Sequence, residues 1–244
     1  MKENKYDDEI FFENYAQMAR SKRGLAAAGE WETLRPMLPA FRGKRVLDLG
    51  CGYGWHCEYA AENGAASVTG VDISEKMLAE ARRRTKHENV HYIRAAIEDV
   101  DFPPESFDVV LSSLALHYVA DFSSVVKGVR RFLSVGGTFI FSAEHPVFTA
   151  QGPQQWHYNA DGSIAHFPVD GYYYEGRRDA VFLGEHVVKY HRTFDTYINT
   201  LLTNGFVING FAEPRPTNSM LAEIPEMRDE MRRPMMFILS AVKR

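Results

Sequence analysis

Val46-Leu47-Asp48-Leu49-Gly50-Cys51-Gly52-Tyr53-Gly54 is the stretch that decides how the rest of this chain is read. An apolar run of strand length carries one acid, Asp48, and ends in three glycines at alternate positions. A helical pattern opens at once over residues 55–63 and stops at Gly64. Glycines at such a junction let the backbone turn tightly and let a ligand approach it closely. In an open α/β sheet this is the C-terminal end of the first strand, where nucleotide-type ligands sit against a helix N-terminus. Residues 67–71 read as the second strand, and Asp72 follows it 22 residues after Gly50, where a carboxylate can accept both hydroxyls of a ribose.

Charge narrows the ligand. A dinucleotide fingerprint runs G-x-G-x-x-G, whereas the glycines here run G-x-G-x-G and Trp55 follows. Asp48 lies two residues before Gly50 and would repel a pyrophosphate. S-adenosylmethionine has no phosphate; it carries a sulfonium, an ammonium and a carboxylate, and an acid near the loop suits it. The pattern favours that ligand and disfavours a nicotinamide-dependent oxidoreductase.

Outward from this turn the chain keeps one rhythm. Residues 45–49 read as a buried strand, and 67–71, 90–94, 107–113 and 138–143 as the strands that follow it. Helical patterns lie between them, one over 74–86 with Ser74 as N-cap and one ending at Leu133 with Asp121 or Ser123 as N-cap. Gly136-Gly137 predicts a turn into the fifth strand. Strand and helix in alternation predict parallel βαβ crossovers, and hence a right-handed, doubly wound, Rossmann-like sheet.

Upstream, Phe11, Phe12, Tyr15 and Met18, and then Trp31, Leu34 and Leu38, recur at helical spacing. Downstream, residues 144–194 break the rhythm with ten aromatics and five of the nine histidines. That is too long and too aromatic for plain loop, and it reads as an insertion covering a site. Helix returns over 195–203, and 206–211 and 235–242 read as the last strands. Four parts are expected: an N-terminal helical lid (1–43), a cofactor-binding core (44–143), an aromatic-rich substrate lid inserted after the fifth strand (144–194), and the C-terminal part of the core sheet (195–244).

Taken together, D-L-G-C-G-Y-G (48–54), V-T-G-V-D-I-S (68–74), E-D-V-D-F-P-P-E-S-F-D-V-V (98–110) and L-S-V-G-G-T-F (133–139) resemble the class I S-adenosylmethionine-dependent methyltransferases in order and spacing. The resemblance is to the small-molecule group that includes the ubiquinone and menaquinone methyltransferases, and it covers residues 44–143. It implies a seven-stranded, mostly parallel sheet with the last strand antiparallel, and S-adenosylmethionine as cofactor. It further implies that Asp48, Gly50 and Gly52 line the methionine moiety, that Asp72 holds the ribose, and that Ile73 packs on the adenine. Ile97 and Glu98 match the stretch edging the adenine ring, and Ser112 and Ser113 the border of the methionine tail. Tyr15 and Arg20 match a lid over the cofactor, with Arg20 able to pair its carboxylate. Ala96 departs from the pattern, since many members carry an acid there; Glu98, Asp99 or a backbone carbonyl must accept from the adenine amino group instead.

Methyl transfer is an in-line displacement at a sulfonium carbon, so the protein mainly orients the nucleophile and excludes water. A base is needed only for an acceptor that is protonated near neutrality. His117, followed by Tyr118, comes after the fourth strand and His145 after the fifth, so the two histidines are the catalytic candidates. Trp156, Tyr172, Tyr173, Tyr174 and the run Tyr190-His191-Arg192 offer faces to wall an apolar or planar acceptor. No histidine pair has the spacing and flanking acid of a zinc helix, and no metal is expected. Met227 and Met231 with Arg228, Arg232 and Arg233 predict an amphipathic surface helix, and Cys51 is expected beside the cofactor as a small side chain.

Composition bounds the rest. With 244 residues, 45% hydrophobic and 25% charged, the chain can bury a sizeable core. A formal charge of −4, from 28 basic and 32 acidic side chains, offers no global field for nucleic acid or anionic membrane. Cys51 and Cys57 are too few for a disulfide framework. No apolar run spans a bilayer and the first thirty residues lack a secretory h-region, so a cytoplasmic protein is expected. The expectation is a methyltransferase, monomeric or homodimeric, acting on an O, N or C nucleophile of a small molecule. The alternative from another class is a non-catalytic S-adenosylmethionine-binding regulator.

Overall fold

The computed structural model describes residues 4–244. The chain enters through three short helices, α1 (Glu9–Gln17), α2 (Ala19–Arg23) and α3 (Trp31–Leu34). Then come β1 (Arg45–Leu49), α4 (Trp55–Glu62), β2 (Ser67–Asp72), α5 (Glu75–Arg84), β3 (Val90–Arg94), β4 (Phe107–Ser113), α6 (Phe122–Phe132) and β5 (Leu133–Glu144). The Ser74 hydroxyl caps α5, and Asp121 rather than Ser123 caps α6. The inserted segment is structured: α7 (Pro146–Thr149), a hairpin of β6 (His157–Tyr158) with β7 (Ile164–His166), and a longer one of β8 (Gly176–Phe182) with β9 (Glu185–His191). The chain finishes with α8 (Phe194–Thr203), β10 (Phe206–Ala212), α9 (Asn218–Glu223), α10 (Met227–Glu230) and β11 (Met236–Lys243).

Seven strands form one sheet in the order β10-β11-β5-β4-β1-β2-β3. The strands β1 to β5 pair in parallel, and β11 runs antiparallel to both β5 and β10. This is the expected Rossmann-like sheet with its last strand reversed. Alternate side chains serve opposite layers. Leu47, Leu49, Val110, Phe139, Phe141 and Phe237 pack with Val125, Val126 and Val129 of α6 and Tyr197 and Leu201 of α8. On the other face Val46, Val68 and Val109 pack with Cys57 and Ala60 of α4, while Leu111, Ile140 and Ile238 meet Trp31 and Leu34 of α3. Whereas the edge strand β3 is mostly exposed, burial on both faces is why the central strands β1, β4 and β5 read as largely apolar runs. It also puts Asp48, two residues from Val46, on the α4 face.

Two expectations change. Strand β5 begins at Leu133, directly after α6, and Gly136-Gly137 lie inside it. They form an irregularity between the pairs Phe107↔Leu133 and Val109↔Thr138, with Gly136 at φ 76°. The amphipathic helix expected around residues 227–233 is a single turn, α10, and Arg233 beyond it is buried. Its guanidinium lies 4.5, 4.9 and 4.6 Å from the ring centres of Phe148, Trp156 and Phe167, and donates to Glu230 at 2.6 Å. An arginine that reads as a surface charge thus fastens the segment before β11 to the insertion, through cation–π contact and one ion pair.

Candidate active site

The turn after β1 is held by its neighbouring strand. The N–H groups of Gly50 and Cys51 both donate to the Val71 carbonyl, at 2.8 and 2.9 Å. Gly50 has φ 79°, and a Cβ there would lie 2.3 Å from that of Ala115, so only glycine lets the turn pack under the β4 loop. Gly52 differs: at φ 53° its Cβ would meet nothing within 4 Å, and it borders open space in a cavity wall. The Asp72 carboxylate clamps the turn from β2, accepting the Gly52 N–H at 2.8 Å and the Ser74 N–H at 2.9 Å. Burial pushes the Asp72 carboxyl up, against the pull of those two hydrogen bonds.

These residues form one end of a cavity of about 720 Å³, a size typical of small-ligand sites. The cavity follows the C-terminal edge of the parallel strands. Its wall takes Ala96, Ile97 and Glu98 after β3, Asp72 and Ile73 after β2, Gly50 and Gly52 after β1, and Ser113, Leu114 and Ala115 from β4 and its loop. It continues past Glu144 at the end of β5, Met235 and Met236 at the start of β11, and Pro214, Arg215 and Pro216 after β10. The N-terminal helices add Tyr15, Met18 and Arg20 to the wall, and the insertion and the segment before β11 add Phe182, Val187, Tyr190, Met220 and Met227.

Of the residues nominated for the cofactor, Tyr15, Arg20, Gly50, Gly52, Asp72, Ile73, Ile97, Glu98 and Ser113 lie in this wall. Asp48 and Ser112 are not among its residues. Asp48 sits beneath the turn, accepting from the Cys57 thiol at 3.4 Å, with its other oxygen unpartnered. Burial lifts its carboxyl to about 7, with the Cys57 hydrogen bond opposing and the Asp72 charge adding. Ser112 donates to the Leu49 carbonyl at 2.7 Å and so ties β4 to β1. Cys51 is buried, and burial pushes its thiol well up, the opposite of an activated thiolate. Glu30, not singled out from sequence, stands in the wall almost fully buried, accepting from Arg20 at 3.3 Å and from the Ser113 hydroxyl at 3.1 Å. Burial alone would raise its pKa, but the Arg20 guanidinium holds it below the usual carboxylate range. A lone acid in a helical lead-in carries no mark of burial in sequence.

The two catalytic candidates part company. His117 lies in the wall, fully buried, and burial drives its pKa down to about 4. Its Nδ1 accepts the Glu144 backbone N–H at 3.4 Å, so the neutral ring carries its proton on Nε2, which lies 4.0 Å from Glu144 Oε1. His145 is not in the wall. Its Nδ1 accepts the Val147 N–H at 3.0 Å and caps α7, while its Nε2 meets Glu213 at 2.9 Å. Both ring nitrogens are engaged in holding structure. Tyr173 and Tyr174 are 87% and 80% exposed, Tyr172 and His191 pack on each other, and Trp156 packs on Arg233. Of the aromatic candidates, Tyr118 and Tyr190 reach the cavity. Sequence reasoning missed Glu144, whose carboxylate takes Lys189 Nζ at 2.5 Å and Gln154 Nε2 at 2.7 Å. Among the described residues no group of three or more His, Cys, Asp or Glu side chains could hold a metal ion, and no helix is long and apolar enough to cross a membrane.

A seven-stranded sheet with one reversed strand, a glycine turn after β1 and an acid after β2 define the cofactor-binding core of a class I methyltransferase. The residues present fit S-adenosylmethionine: Gly52 leaves room for a ligand against the backbone, and carboxylates rather than a cationic phosphate cradle surround the turn. Residues 47–141 match the family model for a methyltransferase domain. A crystal structure from Listeria monocytogenes, provisionally assigned as an S-adenosylmethionine-dependent methyltransferase, is 56% identical, covers 91% of this chain and 99% of its own, and superposes with a TM-score of 0.86. An S-adenosylmethionine-dependent methyltransferase from Mesorhizobium loti is 44% identical, covers 90% of this chain and 100% of its own, with a TM-score of 0.84. The chain belongs to the S-adenosylmethionine-dependent methyltransferases, an enzyme family, and S-adenosylmethionine is its cofactor. A ubiquinone biosynthesis O-methyltransferase of Neisseria meningitidis is 35% identical over 47% of this chain, which spans about half (54%) of that relative's length.

Proposed function

We propose that this protein methylates a small molecule at an oxygen, nitrogen or carbon nucleophile. The observation that carries this reading is one continuous cavity that runs from the glycine turn and Asp72 to the end of β5 and the start of β11. Bound at the glycine-turn end, S-adenosylmethionine supplies a methyl group already activated on a cationic sulfur. In this reading Asp72 accepts from the ribose hydroxyls, Ile73 and Ile97 flank the adenine, Glu98 lies at its edge, and Arg20 pairs with the carboxylate of the amino-acid end. Tyr15 and Met18 shut that end from water, and the other end seats the acceptor. Similarity to relatives named O-methyltransferases, over less than half of this chain, supports oxygen as the acceptor atom.

The test uses methyl-labelled S-adenosylmethionine, the purified protein and a bacterial extract divided into dialysable metabolites, RNA and protein. Label should enter the dialysable fraction. Label confined to RNA or protein would refute the small-molecule reading while leaving the methyltransferase assignment intact.

A further inference from the structure

The structure assigns to Glu144 the role of seating a neutral hydroxyl group of the methyl acceptor, accepting its hydrogen bond and then its proton; this rests on the methyltransferase reading above. Glu144 ends β5, next to Met236 of β11 in the sheet register, and lines the cavity with 16% of its side chain exposed. Four groups fix it. Lys189 Nζ donates to Oε1 at 2.5 Å, Gln154 Nε2 donates to Oε2 at 2.7 Å, and Gln154 Oε1 takes a further bond from Lys189 at 2.9 Å. The Glu144 N–H is received by His117. Gln154 adopts φ 57°, a conformation uncommon for a residue with a side chain, and its side chain closes this ring. Each carboxylate oxygen has about two acceptor sites, so one remains open on each after these bonds.

The histidines cannot take this part. His145 is turned to Glu213, and the only free position on His117 is an Nε2 that already carries a proton. A neutral imidazole held this way can donate to an acceptor oxygen and cannot receive its proton. Glu144 is held in its ionised form below the usual range: burial would raise its pKa, but the Lys189 ammonium and the hydrogen bonds from Lys189 and Gln154 outweigh it. Such a carboxylate is too weak a base to ionise a hydroxyl beforehand. It need not do so. As the hydroxyl oxygen commits a lone pair to the new O–C bond, and the C–S bond breaks with its pair left on sulfur, the O–H becomes an oxonium proton far more acidic than a carboxylic acid. That proton passes to Glu144 and leaves to water with the product.

The same geometry selects the acceptor class. The buried Lys189 (2% exposed) neutralises Glu144, so the pair offers no net charge to hold a cationic amine. A carboxylate acceptor would face Glu144 oxygen to oxygen, a repulsion that low dielectric makes severe. A neutral hydroxyl meets neither obstacle. Met220, Ile224, Met227, Met235 and Met236 line the same cavity as an adaptable apolar stretch, with the charged Arg215, Glu223 and Glu230 also in its wall. Thioether sulfurs contact aromatic rings favourably, so the body that fits is an aryl group and the acceptor a phenol.

The experiment presents three ring compounds of similar size, catechol, benzoate and phenethylamine, with methyl-labelled S-adenosylmethionine. Binding of S-adenosylhomocysteine by calorimetry serves as the control for fold and cofactor site. Label is expected in catechol, and Glu144→Gln should lower that rate at least a hundredfold, the usual weight of a positioned proton acceptor. Glu144→Gln should keep S-adenosylhomocysteine affinity within twofold, and Glu144→Asp should restore part of the rate. Absence of S-adenosylhomocysteine binding to the natural chain would instead strike the methyltransferase reading itself. Given cofactor binding, label in benzoate or phenethylamine rather than catechol, or in none of the three, overturns the acceptor class. Catechol methylation by Glu144→Gln within threefold of the natural rate overturns the role of Glu144. If Glu144→Gln fails the cofactor control, Lys189→Met, which leaves the carboxylate in place but unpaired, must lower catechol turnover at least tenfold or the assignment falls.

Discussion

The two glycines of the β1 turn should fail in different ways when given a side chain. Gly50→Ala puts a methyl 2.3 Å from the Ala115 Cβ, far inside contact distance, and that Cβ has no rotamer by which to retreat. Relief requires backbone movement next to Leu114, itself at φ 52°. Overpacking of this kind costs about 1–3 kcal/mol, and holding alanine at φ 79° adds about 1–2 kcal/mol. The sum is about 2–5 kcal/mol of stability. Gly52→Ala meets nothing within 4 Å, so only the φ 53° term applies, about 1–2 kcal/mol. Its methyl projects instead into the open cavity, where the cofactor is proposed to lie. Urea denaturation should therefore show a large midpoint shift for Gly50→Ala and a small one for Gly52→Ala. Calorimetry with S-adenosylhomocysteine should show at least a tenfold loss of affinity for Gly52→Ala, about 1.4 kcal/mol, in a protein that still unfolds cooperatively. Normal binding by Gly52→Ala would mean that no ligand passes over this turn. Normal stability of Gly50→Ala would refute the close packing of the turn against the β4 loop.

Three further outcomes are expected. Asp48 keeps its proton in the folded chain up to about 7, while the unfolded chain releases it near 4. Stability should therefore fall as pH rises between those values, by on the order of 4 kcal/mol, and then level off. Asp48→Asn should remove that fall in urea titrations at pH 5 and pH 8 and be the more stable protein at pH 8; parallel curves would refute the buried, protonated carboxyl. Arg20→Ala leaves Glu30 buried without its cation and should cost about 3–5 kcal/mol, much of it recovered in Arg20→Ala/Glu30→Gln, so additive losses in that cycle would count against the pair. Arg233→Ala empties the cleft between Phe148, Trp156 and Phe167, and limited proteolysis should then cut the insertion at least tenfold faster, with an unchanged rate arguing that the insertion is held elsewhere.

The sequence alone determined the sheet and the end of the cavity around the glycine turn, because both rest on short-range rules. A buried strand announces itself by an apolar run, a crossover helix by its period and its cap, and the ligand turn by glycines between them. Gly50, Gly52, Asp72, Ile73, Ile97 and Glu98 all lie within a few residues of such a strand end, and the strand order carries them to one edge. The end of the cavity around Glu144 had no such rule. Glu144, Gln154 and Lys189 come from the end of β5, a loop of the insertion and the strand β9, and nothing in any one segment marks its charge as buried beside the other two. His117 and His145 look alike in sequence, each just past a strand. Only the packing of Glu213 against one ring and of the Glu144 backbone against the other decides that His145 serves structure and His117 the wall. Arg233 looked like solvent-facing charge until three aromatic rings from the insertion closed around it. Periodicity fixes which way a side chain points within its own element; which distant group meets it there is set by how separate segments pack, and that information exists only in the folded chain.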